Sequence, residues 1–213
     1  MFSSLAINWL PFLTSVLLLW LPVTLVFGKG VQYRELDSAW HPFIAEAVFL
    51  PWHWIDGVRI GAATFFLCDA VGYSRSLALD DATNAGAALV VGIVLAVGVV
   101  LQTVVCRAES CFHVPFTFVF GAVAVLFPPA VAALALVVAV TAAIGFRSLA
   151  AFLWVLPMSV LAIGSWLYPH YVELSTGAGL SVLGAILPML FHRHFVFAHR
   201  GVPPDPETLR DLR

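Results

Sequence analysis

Apolar residues in this chain come in long unbroken runs, not in the alternating or three-in-seven patterns of soluble strands and helices. Runs at residues 5–27, 57–77, 85–105, 112–127, 130–146, 149–168 and 177–191 reach or approach the ~20 residues that a helix needs to cross a bilayer core. The pattern predicts an all-α, polytopic transmembrane helical bundle of about seven helices, or about five if 112–146, divided at Pro128-Pro129, enters and returns as a hairpin. The apolar run 44–50 is too short to span. It is bracketed by Trp40-His41-Pro42 and Pro51-Trp52-His53-Trp54, so residues 39–54 are expected to lie at the membrane interface. Residues 1–200 read as one transmembrane domain and 201–213 as a Pro-rich tail, where Asp205 can cap a single turn begun by Pro206.

The loops supply direction. Threading the runs in order puts Lys29, Arg34, Arg59, Arg107, Arg147, Arg193, Arg200, Arg210 and Arg213 on one side and only Arg75 on the other. The positive-inside rule makes the basic side cytoplasmic, with the N-terminus outside and the C-terminus inside. No basic residue precedes the first run and no small-x-small site ends it at Phe27-Gly28-Lys29. Residues 5–27 are therefore expected to be a retained helix and not a cleaved signal. Histidine is skewed the same way: His41, His53, His113, His192, His194 and His199 fall inside and His170 outside.

Composition agrees with the runs: 62% of the 213 residues are hydrophobic, 10% are charged, and the net charge is -2. No basic stripe exists to neutralise phosphates, which excludes nucleic acid as a partner. Cys68, Cys106 and Cys111 are too few and too poorly placed for a disulfide framework and read as thiols. The chain contains no P-loop, G-x-S-x-G, H-E-x-x-H or G-x-G-x-x-G. The turn Cys106 to His113 matches no zinc spacing. Spaced glycines, Gly57 with Gly61 and Gly177 with Gly184, allow close helix approach. Pro11, Pro22, Pro115, Pro157 and Pro188 fall within apolar runs and are expected to bend helices.

Two groups of residues carry candidate chemistry. Asp69, late in the 57–77 run, is an ionisable group in the outer half of the bilayer, with Arg75 and His170 as candidate partners. The alternative is a helix end held at the headgroups. The second group is an inner-face cluster: His41, Glu46, His53 and Asp56 before the second helix, Glu109 and His113 after the third, and His192 and His194 after the seventh. Imidazoles and carboxylates suit zinc or non-haem iron, but the HxxxH and HxxHH boxes of membrane di-iron enzymes are missing. His113 and His192 can be placed as haem ligands near the inner surface or as quinone contacts. Against all of these stands the amphipathic character of His and Trp, which populate interfaces without binding anything.

These patterns point first to a multi-pass subunit of a larger assembly in a bacterial inner membrane, or an organellar one. Its partners would be membrane lipids and other subunits or copies of itself, with the His/Trp segment as a contact or a lipid- or quinone-facing site. The alternatives are a membrane enzyme acting on a lipid or quinone through the inner-face cluster, and a small transporter or channel using Asp69.

Overall fold

The computed structural model describes residues 7–21, 31–35, 51–73, 82–104, 111–113, 116–146, 149–167 and 194–200. Among them are six helices: α1 Trp9–Trp20, α2 Pro51–Ala70, α3 Ala82–Val104, α4 Phe116–Leu126, α5 Pro129–Phe146 and α6 Leu149–Leu167. The expected helix at 177–191 and the tail 201–213 lie outside the described residues. The purely helical expectation needs correction, because three short strands, β1 Val31–Glu35, β2 Cys111–His113 and β3 His194–Arg200, form one sheet. β3 is central, antiparallel to β1 with Val31 opposite Arg200, and parallel to β2 with Cys111 opposite His194. Apolar-run analysis misses such strands because they are too short to show a period, and parallel partners far apart in sequence leave no local trace.

α2 departs from its expected range at both ends. It starts at Pro51 and not at residue 57, because proline suits the first helical position, where its missing N–H would have no partner anyway. The Pro51-Trp52-His53-Trp54 part of the expected interfacial segment 39–54 is therefore the first turn of α2, and residues 39–50 lie outside the described residues. At the other end α2 stops at Ala70, short of residue 77. Gly72 takes φ +67°, its N–H donates to the Asp69 carbonyl at 3.2 Å, and the Tyr73 N–H donates to the Cys68 carbonyl at 2.8 Å. This paired closure satisfies the last carbonyls, and its left-handed residue is nearly always glycine.

Prolines start helices here more than they bend them. Pro11 lies in the first turn of α1, so that helix has no interior proline. Pro129 opens α5, whose first N–H bond runs from Ala132 to the Pro128 carbonyl at 3.0 Å. Pro157 alone among the described prolines lies inside a helix, α6.

α1 runs antiparallel to α2: the Asn8 N–H donates to the Ala70 carbonyl at 2.9 Å, and the far end of α1 meets Arg59. α4 packs on α2, and α5 on α6. Among the described residues, Phe118, Phe127 and Phe152 are the largest fully buried side chains. Gly98 of α3 gives Phe118 its room, since a Cβ there would stand 2.6 Å from the ring.

α5 sorts its residues in an unusual way. Ala132, Ala135, Ala139 and Ala143 face inward at helical spacing, while Leu134, Val137, Val138 and Ile144 are exposed. A helix apolar all round belongs in a large core or a membrane. Segments Gly86–Thr103 of α3 and Pro129–Phe146 of α5 are both long and apolar enough to cross a bilayer.

Candidate functional site

The polar centre of the described structure begins with a missing hydrogen atom. In α1 the Leu18 carbonyl would accept from the N–H of residue 22, but residue 22 is proline and has none. The end of α1 therefore needs donors from elsewhere. Arg59 of α2 supplies them: its Nη1 donates to the Leu18 carbonyl and, at 3.2 Å, to the Leu21 carbonyl. Gln102 of α3 adds its Nε2, 3.2 Å from the Leu19 carbonyl and 2.6 Å from that of Leu21. Trp20 reaches the other way, its Nε1 donating to the Val94 carbonyl at 3.2 Å. A cation at a helix C-terminus also opposes the negative end of the helix dipole.

Arg59 is counterbalanced on its own helix. Asp56 lies three residues earlier, and its Oδ1 accepts from Arg59 Nε at 2.9 Å and Nη2 at 2.6 Å. Its Oδ2 accepts from the Thr117 hydroxyl of α4 at 2.5 Å. Both carboxylate oxygens are thus engaged by partners that stay within the fold, while the Asp56 side chain is only 2% exposed and that of Arg59 12%. An ion pair this well buried is held by geometry: removing either member leaves the other buried without its counter-charge. Arg59, counted in the threading among the basic residues of the inner side, is accordingly a structural cation tying α1 to α2. Asp56 belongs to α2 and not to a segment preceding it.

Gln102 offers a direct check on this junction. Gln102→Leu is expected to lower stability by roughly 1–3 kcal/mol, because carbonyls buried at the α1 end lose their donor. Gln102→Glu should be worse, since it aims a carboxylate at the same oxygens. Thermal unfolding in detergent measures both, and a Gln102→Glu protein as stable as the parent would contradict the assignment.

Beside the junction lies a partly enclosed cavity of about 120 Å³, lined by His53, Trp54 and Gly57 of α2, Phe116, Thr117 and Phe120 of α4, and Val140 of α5. Trp54 meets Phe120 edge to face, centroids 5.8 Å apart at 89°. Phe116 lies 6.1 Å from Phe120 and 4.6 Å from Phe152. His53, only 5% exposed, and Thr117 are the residues with polar side chains in this apolar lining. The Thr117 hydroxyl is committed to Asp56, so a ligand would find one imidazole and several aromatic faces.

Of the other candidates, the described ones lie at the far end of α2 and on the sheet. Asp69 is exposed in the last turn of α2, at the end opposite Asp56, and Arg75 and His170 lie outside the described residues. His113 and His194 stand on the neighbouring strands β2 and β3. His41, Glu46, Glu109 and His192 lie outside the described residues. Among the described residues of the helices no three His, Cys, Asp or Glu side chains converge as a metal site would require. Cys68 is a buried thiol.

Sequence reasoning missed Arg59, Gln102 and Thr117. A signal for the first was present: with α2 started at Pro51, Asp56 and Arg59 fall at i and i+3 on one helix surface. Gln102 and Thr117 carry no such signal, since single polar residues in apolar runs acquire a role only from the neighbour they meet. Comparison of the chain with protein-family models, curated proteins and solved structures finds no match.

Proposed function

We propose that this chain is a multi-pass integral membrane protein of a bacterial inner membrane, N-terminus outside and tail in the cytoplasm, acting as a subunit of a larger membrane assembly. The His53–Trp54 end of α2 is its lipid- or quinone-facing site. The observation that supports the reading is α5, apolar on every side: Ala132, Ala135, Ala139 and Ala143 face inward with Val131 and Leu136, and Leu134, Val137, Val138 and Ile144 face outward. In water such a face would be a liability for aggregation; against acyl chains it is the solvent-matched surface.

The sheet supports the sidedness. β1, β2 and β3 come from the segments before α2, before α4 and near the C-terminus, all of which the basic-residue count puts on the cytoplasmic side. Strands hydrogen-bonded to one another share one level, which supports placing the three segments on one side.

Membranes washed with alkaline carbonate are expected to retain the chain, and extraction in a mild detergent is expected to release it with other polypeptides or as an oligomer. Release by carbonate would overturn the membrane assignment. A monodisperse monomer by size-exclusion chromatography with light scattering would overturn the subunit assignment alone.

A further inference from the structure

We infer that one face of the three-stranded sheet binds a divalent cation of the zinc type at Cys111 and His113 of β2 and His194 of β3. The register brings these positions together. Residues two apart along a strand share a face, and so do residues paired across neighbouring strands. Cys111 is opposite His194, and His113 is opposite Val196, two positions after His194. Cys111, His113 and His194 therefore occupy one face, together with Glu35, which is paired with Val196 from the β1 side. Phe112 and Phe195, opposite each other, occupy the other face. At this end of the sheet the donor residues and the phenylalanines are thus sorted apart.

The spacing suits one small ion. Neighbouring strands stand about 4.8 Å apart and alternate residues along a strand about 6.6 Å, so Cys111 is the corner of a triangle whose longest side, His113 to His194, is roughly 8 Å. The shortest donor holds the corner and the two longer ones the ends. A thiolate with two imidazoles is a donor set for borderline-soft Zn²⁺, whereas Ca²⁺ and Mg²⁺ take oxygen ligands. Three protein ligands leave the fourth tetrahedral position to water or another donor. The inference is one of binding and includes no reaction.

The fold gives such an ion a purpose. β2 has three residues and pairs in parallel at the edge of the sheet, so few ladder bonds hold it to β3. A cation bound from both strands would cross-link the segment between α3 and α4 to the segment near the C-terminus. Local spacing conceals the site, because Cys111 and His113 are only two donors and the third comes from a distant strand. The inference rests on the register and holds whichever way the chain lies in a membrane.

The full chain, purified in detergent micelles and stripped with a chelator under reducing conditions, is titrated with Co²⁺ and then Zn²⁺. The parent is expected to bind Co²⁺ saturably, with thiolate-to-metal charge-transfer absorption in the near ultraviolet and the visible bands of tetrahedral coordination, and to lose both on adding Zn²⁺. Cys111→Ser should abolish the charge-transfer band, and Cys106→Ser should keep it. His113→Ala and His194→Ala should each weaken Zn²⁺ binding, in competition with a chromophoric chelator, by at least the roughly tenfold that an outer-shell partner costs. His199→Ala, on the same strand as His194 but the other face, should bind as the parent does. Zn²⁺ should raise the melting temperature of the parent more than that of His194→Ala. Failure of the parent to bind Co²⁺ saturably, or a Co²⁺ spectrum without the thiolate band, would overturn the inference, and both are read on the parent even where a variant does not fold. So would equal weakening by His199→Ala and His194→Ala, the behaviour of scattered histidines.

Discussion

Arg59→Ala is expected to destabilise the protein by about 3–5 kcal/mol, the range for removing one partner of a buried ion pair. Two losses combine. Asp56, 2% exposed, would be left with the Thr117 hydroxyl alone in place of its guanidinium partner. The Leu18 carbonyl, deprived of an intrahelical donor by Pro22, would lose Arg59 Nη1 as well. Arg59→Lys should not rescue: one ammonium cannot replace the paired donors on Asp56 Oδ1 while also reaching two carbonyls of α1. The double variant Asp56→Leu with Arg59→Met should be less damaging than Arg59→Ala, because no charge is then buried alone. Thermal or denaturant unfolding in detergent micelles reads all three. A change below about 1 kcal/mol in Arg59→Ala would mean that the pair behaves as a solvated surface bridge and that α1 is held otherwise.

Gly121→Ala is expected to be the most harmful single-methyl change in the described structure, at roughly 1–3 kcal/mol or above. A Cβ on Gly121 would stand 2.5 Å from the Gly57 carbonyl oxygen, and 3.1 Å from both the Gly61 nitrogen and the Ile60 Cβ. Two of these are backbone atoms of α2 and cannot swing aside, so α4 must move away from α2. Thr117 lies one turn before Gly121 on the same surface of α4, so the displacement also stretches its bond to Asp56. The reciprocal changes have a different sign. Gly57→Ala meets open space and should be neutral or stabilising by about 0.5–1 kcal/mol, the usual gain on replacing a glycine inside a helix. Gly61→Ala meets atoms at 3.5 and 3.6 Å, ordinary contact distances. Equal melting temperatures for Gly121→Ala and Gly57→Ala would show that the two helices are not this close.

The Gly121 result illustrates how far the sequence could be read. The spacing of Gly57 and Gly61 marks α2 as a helix that another approaches closely, but it names neither the partner nor the position where a side chain is forbidden. That position is on α4, in an apolar run with no matching motif. The same holds for Asp56. Its residue type and its neighbour at i+3 are visible, whereas its burial follows from α4 lying against α2 at Thr117. Asp69, which the sequence places either in the outer half of the bilayer or at a helix end, sits exposed in the last turn of α2, and Gly72 ends that helix earlier than hydropathy alone indicates.

Local rules therefore settled some of the elements. Unbroken apolar runs determined α3, α5 and α6 to within a few residues, because helix formation and termination depend on neighbours a few positions away. Only the tertiary structure decided which polar groups meet, which glycine is indispensable, and that three distant segments join as a sheet. Those outcomes depend on contacts between residues as far apart as Leu18 and Arg59 or Cys111 and His194. Hydropathy, which sums over a local window, contains no information about such pairs.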